Sequence, residues 1–145
     1  MKLPKELYNG LIIAISIALF FLLMEILGLA DLYYLRLLNV VFVFYGVNRT
    51  LKMNFAEGKK EYIPNILSAI FTSIIGVCLT VLGLLVYSYI KGGDSYVQSL
   101  SETFLFGGTP TIMTYCISLL FEGIASSVIV VFLLMLYWNN KYAAD

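Results

Sequence analysis

The chain contains no histidine, only two cysteines and three prolines in 145 residues. Without histidine it lacks the usual axial ligand for haem, the usual nitrogen ligand for zinc or copper, and the commonest general base. Cys78 and Cys116 both fall inside apolar runs at different depths, a poor geometry for a disulfide, and read as small packing residues. No Gly-x-Ser-x-Gly elbow, metal-ligand spacing or phosphate loop is present. Neither a metal nor a cofactor is expected, and the chain is not expected to be an enzyme. Charge is scarce as well, at 12% of residues with a formal net charge of zero, so nothing points to nucleic acid.

Apolar residues fill the space that charge leaves, at 61%. Soluble domains are about 45–50% apolar and about 25% charged. A chain this short has too little interior to hide that much apolar surface, so the expected solvent is lipid. Four runs approach the ~20 helical residues that cross a bilayer. They lie at about 8–29, 32–48, 65–90 and 111–138. The first is too long for the apolar region of a cleaved leader and carries Glu25, so it is read as a span. Pro4, Pro64 and Pro110 each stand at or just before a helix start, where a missing N–H costs nothing. Asp31, after the breaker Gly28, is a candidate N-cap for the second run.

Seven of the nine Lys and Arg residues (Lys2, Lys5, Arg49, Lys52, Lys59, Lys60 and Lys141) fall on one side. That side is predicted to be cytoplasmic, with both termini there. The Asn48-Arg49-Thr50 sequon then faces the wrong compartment for glycosylation. Tyr and Trp cluster near the span ends, as an interfacial belt requires. In the outward loop, residues 95–106 place Val97, Leu100, Phe104 and Leu105 on one face and Gln98, Ser101 and Glu102 on the other. This predicts a short amphipathic surface helix. The expected fold is all-α, a single integral membrane domain over 1–145. It is a four-helix antiparallel bundle with a short amphipathic helix in the outward loop.

Each span carries one face of small or polar residues. Gly10, Ala14 and Ala18 share a face of the first, and Ser68, Thr72, Gly76, Thr80 and Gly83 line the third. Such stripes let membrane helices approach closely. The fourth span repeats Thr114, Ser118, Glu122 and Ser126 at four-residue spacing. At ~1.5 Å per residue, Glu122, Arg36 and Glu25 fall about 3, 7 and 10 Å outward of their helix midpoints. A buried polar cluster of Glu122, Arg36, Glu25, Asn39, Ser118 and Ser126 is therefore predicted, with Arg36 able to bridge both carboxylates. One arginine against two carboxylates leaves a surplus negative charge, and intramembrane carboxylates often mark proton or ion paths. The same residues also suit a plainer reading. Glu25 and Arg36 would snorkel to the interface, and a protonated Glu122 would fix helix register or meet a neighbouring subunit.

The order of features resembles a known family. A short basic N-terminus leads into a tight first hairpin, and Tyr45-Gly46-Val47-Asn48-Arg49 exits into a basic loop. Tyr62-Ile63-Pro64-Asn65-Ile66-Leu67 enters the third span, which ends Tyr87-Ser88-Tyr89, and Phe121-Glu122-Gly123-Ile124 lies inside the fourth. This is similar to an uncharacterised family of small four-helix bacterial membrane proteins, a domain of unknown function typical of the Bacteroidetes. The resemblance covers nearly the whole chain and implies four spans in a bacterial inner membrane. It transfers no functional residue. The expected function is that of a non-catalytic interaction protein, an accessory or assembly subunit of a membrane complex or a homo-oligomer. Its partners would be membrane lipids and another protein within the membrane. The alternative is a small transporter or channel whose Glu/Arg cluster handles protons or small ions.

Overall fold

The computed structural model describes residues 3–100 and 109–142. They form helices α1 (Lys5–Ile26), α2 (Tyr33–Arg36), α3 (Asn39–Ala56), α4 (Tyr62–Lys91), α5 (Asp94–Leu100) and α6 (Ile112–Tyr137), then a 3₁₀ turn at Asn139–Lys141. No strand occurs among the described residues. Of these helices α1, α4 and α6 are long and apolar enough to cross a membrane. At 30 residues α4 is about 45 Å long, well beyond a ~30 Å hydrocarbon core.

The second expected span, 32–48, takes a different form. After α2, Leu37 and Leu38 keep helical dihedrals, but their amides reach back three residues, to Tyr34 O (3.2 Å) and Leu35 O (3.1 Å). The chain thus tightens for one turn and resumes as α3, which runs on to Ala56 through residues expected to be loop. A drop in hydropathy does not stop a helix; a cap does. Gly58 is that cap, at φ 79°, with Gly58 N–H donating to Phe55 O (3.0 Å) and Lys59 N–H to Asn54 O (3.0 Å). Gly28 ends α1 by the same paired bonds, at φ 71°. Asp31 does not cap the next helix; Leu32 takes that position, with no side-chain cap. Thr50 of the sequon is fully buried inside α3.

Helix α1 packs on α3 and α4, α3 on α4 and α6, and α4 on α6. Their shared core holds Ile13 and Ile17 of α1, Val43, Val47 and Leu51 of α3, Ala69 of α4, and Val130 and Leu134 of α6. Helix α5 buries Val97 and Leu100 against Ile112, Tyr115 and Cys116. Its exposed Asp94 accepts a bond from Ile112 N–H (2.9 Å), the first amide of α6, whose N-cap Thr111 accepts from Thr114 N–H (3.2 Å). The rest of the predicted surface helix, including Phe104 and Leu105, lies outside the described residues. Most of the surface around the core is apolar side chain, with Ile26, Ile90 and Phe121 among the most exposed.

Candidate functional site

The three ionisable groups expected to form one cluster go to three places. Glu25, in the last turn of α1, accepts bonds from Tyr87 Oη and Tyr96 Oη (3.0 Å), and Lys91 Nζ lies 3.8 Å from it. This clasp joins the ends of α1, α4 and α5. Burial, with the Glu25 carboxylate beside it, pushes the Tyr96 hydroxyl well above its ordinary range, so it stays a donor. Arg36 instead donates to Tyr115 Oη (2.8 Å) and lies 5.7 Å from the centre of that ring. Asn39 stays beside Arg36, and together with Phe20, Phe21 and Met24 they line a pocket of about 20 Å³. That is room for one water, and Asn39 Oδ1, buried there, has no hydrogen-bond partner among the described residues.

Glu122 is exposed on the outer side of α6, with no hydrogen bond or ion pair among the described residues. The predicted bridge from Arg36 to Glu25 and Glu122 is therefore not formed. Helical rise fixes height, but it leaves the direction around the axis open. Glu122 lies two turns beyond Tyr115 on one stripe of α6, where neither α2 nor α5 covers it. Ser118 points its hydroxyl at Thr114 O (3.0 Å) and Ser126 is half-buried. The serine that turns inward is Ser127, bonded to Gly123 O (2.8 Å).

The expected packing face divides as well. Gly10 and Gly76 lie at the crossing of α1 and α4. A Cβ on Gly10 would come 2.6 Å from Ile75 Cγ2, and one on Gly76 would come 2.7 Å from Ile13 Cγ2. Thr72 is buried beside them and bonds to Ser68 O (2.8 Å). Ser68 Oγ donates to Glu6 (2.7 Å), Thr80 Oγ1 donates to Gly76 O (2.8 Å), and Ala14 is half-buried. Ala18 and Gly83 are exposed, and Gly83 has open space where a side chain would go.

The buried polar centre lies at the opposite, basic end, and sequence reasoning missed it. Asn9, Thr50, Asn54, Asn65 and Thr72 are all 0–1% exposed. Asn9 Nδ2 donates to Thr50 Oγ1 (2.9 Å), which is 2.9 Å from Thr72 Oγ1. Asn54 Nδ2 donates to Asn65 Oδ1 (3.0 Å), and Asn65 Nδ2 donates to the carbonyls of Lys59 (3.0 Å) and Glu61 (2.7 Å). The spacing carries a signal for it. Gly46, Thr50 and Asn54 repeat every four residues, and Asn65 continues the Thr72–Gly76 stripe two turns down the same face. Amides and hydroxyls do not titrate near neutral pH, so this network ties helices together and offers no acid or base.

Aromatic rings and ion pairs cover that end. Trp138 Nε1 donates to Asn48 Oδ1 (2.9 Å), and its ring stacks on Phe55 at 5.1 Å. Tyr142 donates to Met135 Sδ (3.0 Å), and burial pushes its hydroxyl up to about 12. Glu57 pairs with Lys5 and Lys59, which hold its carboxyl below the ordinary value of 4.5. A carboxyl with a depressed folded pKa adds stability above its ordinary value and loses it as pH falls through the folded pKa. Wild type is thus expected to lose slightly more thermal stability than Glu57→Gln on acidification below pH 4.5, read from melting curves at several pH values. Parallel curves would exclude the effect.

No three His, Cys, Asp or Glu side chains among the described residues converge to hold a metal ion. Comparison with protein-family models, characterised proteins and solved structures finds no match to this chain.

Proposed function

We propose that this chain is a non-catalytic interaction protein of a bacterial inner membrane, crossing it four times with both termini cytoplasmic. It would associate with a second copy or with a larger membrane complex through the outer face of α6. The observation that carries this reading is Glu122, exposed near the middle of a 26-residue apolar helix. Facing lipid alone, such a carboxylate costs about 2.5–3.5 kcal/mol on insertion scales. A donor from a neighbouring helix removes that cost, and the cost itself favours association. The small or polar Thr114, Ala125 and Ser126 on the same side let another helix come close. The inside-out surface, with Ile15, Leu19, Val86, Val128 and Phe132 exposed on α1, α4 and α6, supports lipid as the surroundings.

Chemical crosslinking in native membranes, followed by sizing in a mild detergent, tests the reading. Wild type is expected as an oligomer or a defined complex. Glu122→Leu is expected to weaken association by roughly tenfold or more, equal to about 1.4 kcal/mol, and Glu122→Gln by less, because an amide still accepts a bond. A wild type that stays monomeric and uncrosslinked, or an assembly indifferent to Glu122→Leu, overturns it.

A further inference from the structure

The outer face of α3 changes character within one turn. Leu38, Val41 and Tyr45 are exposed and largely apolar, and the same face then continues with Asn48, Arg49 and Lys52. Tyr45, Asn48, Arg49 and Lys52 line a surface depression of about 290 Å³. Neighbouring helices hold its polar groups in place. The Arg49 guanidinium lies 5.4 Å from the centre of the Tyr8 ring on α1. Asn48, half-buried at the depression, accepts from Trp138 Nε1 at the end of α6 through its Oδ1. Neither cation has a carboxylate partner among the described residues. The nearby Glu57 is taken by Lys5 and Lys59, and Glu6 accepts from Ser68.

The geometry points to a binding site for the headgroup of an anionic phospholipid on this face, with the phosphate at Arg49 and Lys52. The inference rests on the membrane reading above. The occupant follows from the two-part chemistry of the face. From Leu38 to Tyr45 the apolar track is about 10 Å long, which fits within the ~15 Å depth of one leaflet's hydrocarbon. It leads straight to two cations that have no carboxylate partner among the described residues, the sequence of contacts that an acyl chain and its phosphate make. The cations also stand at the basic end of the molecule, where anionic lipids of the cytoplasmic leaflet gather. Arginine meets phosphate oxygens with two parallel N–H bonds, and lysine adds a point charge.

Native mass spectrometry of the full chain, released from detergent with titrated lipid, reads the site directly. Dioleoylphosphatidylglycerol is expected to bind at least ten times more tightly than dioleoylphosphatidylcholine. Arg49→Gln/Lys52→Gln should lower phosphatidylglycerol binding by roughly 30-fold, two surface charges' worth. Lys52→Gln alone, at an exposed position, should lower it about fivefold with no effect on folding. Lys60→Gln/Lys141→Gln removes the same charge elsewhere and should leave binding unchanged. Equal binding of the two lipids overturns the site, as does an equal loss in both double variants. Competition by glycerol phosphate at concentrations matching the lipid would mean a free-anion site and also overturns it. An alkaline carbonate wash of native membranes separates the two readings. Release of the wild type sinks the membrane reading and this one with it, whereas retention with unselective lipid binding sinks the headgroup site alone.

Discussion

Asn65→Leu is expected to lower the stability of the folded chain by about 2–3 kcal/mol. Leucine has a similar volume, so the effect is polar rather than steric. The substitution removes the acceptor for Asn54 Nδ2 and both donors to the carbonyls of Lys59 and Glu61. Those carbonyls belong to exposed residues and turn to water at little cost. Asn54 has no such escape. It is 1% exposed and its Oδ1 already lacks a partner among the described residues, so its whole amide would be left unpaired there. Removing both members together should recover part of the loss, with Asn54→Leu/Asn65→Leu less damaging than the sum of the two single changes. Thermal unfolding in detergent, followed through the only tryptophan, Trp138, reads the effect, and hydrogen exchange over residues 57–61 reads the loosened link. A loss below about 0.5 kcal/mol would mean that the network contributes nothing net, the range of an ordinary surface substitution.

Gly76→Leu has the other large expected effect, about 1–3 kcal/mol, the usual range for forcing extra atoms into a filled core. Ile13 is fully buried between two glycines. A Cβ on Gly76 would come 2.8 Å from Ile13 Cβ, and one on Gly46 would come 2.3 Å from Ile13 Cγ1. Helices α1 and α4 would have to move apart along their closest approach. In the proposed lipid setting the apolar transfer contribution largely vanishes, because acyl chains are as apolar as leucine, and close packing carries the association of helices. Losing contact there matters more than it would in a soluble core. Ile13→Ala in the same chain frees the space, so the double variant should be more stable than the two single losses added together. A strictly additive pair would show that the contact is not what holds α1 to α4.

Much of the helical framework is legible in the sequence. The apolar runs around Glu25, Thr72 and Glu122 correspond to the long helices α1, α4 and α6, because a helix satisfies its backbone hydrogen bonds within one segment over so long an apolar stretch. Gly28 ends α1 as its conformational freedom implies, and Gly10, Thr72 and Gly76 lie on a real contact face. The segment of the second expected span, which becomes α2 and α3, is harder to read. Its apolar stretch ends near Asn48, yet backbone hydrogen bonding continues to the cap at Gly58, and Arg49 and Lys52 ride outside while Thr50 and Asn54 turn inward. The buried polar cluster lies at the end opposite to the expected one for a related reason. Charged residues draw notice in an apolar sequence, but the groups buried most completely are neutral amides and hydroxyls, which cost less to bring inside and bond to one another.

The sequence by itself determined that the chain is helical, that three of its helices have the length and apolarity to cross a membrane, and how its Lys and Arg divide between the helix ends. Periodicity and composition are local properties, and they settle those points. Only the tertiary structure decided which neighbour each polar side chain meets. Glu25 meets Tyr87, Tyr96 and Lys91, Arg36 meets Tyr115, and Glu122 makes no hydrogen bond or ion pair among the described residues. The reason is geometric. A helical repeat gives the height of a residue and its angle relative to its own helix, whereas the rotation of each helix against its neighbours comes from packing, here from Ile13 seated between Gly46 and Gly76 and, for α6, from Gly123 set against Val77 of α4. That rotation turns Asn9, Thr50 and Asn65 inward and leaves Glu122 facing out.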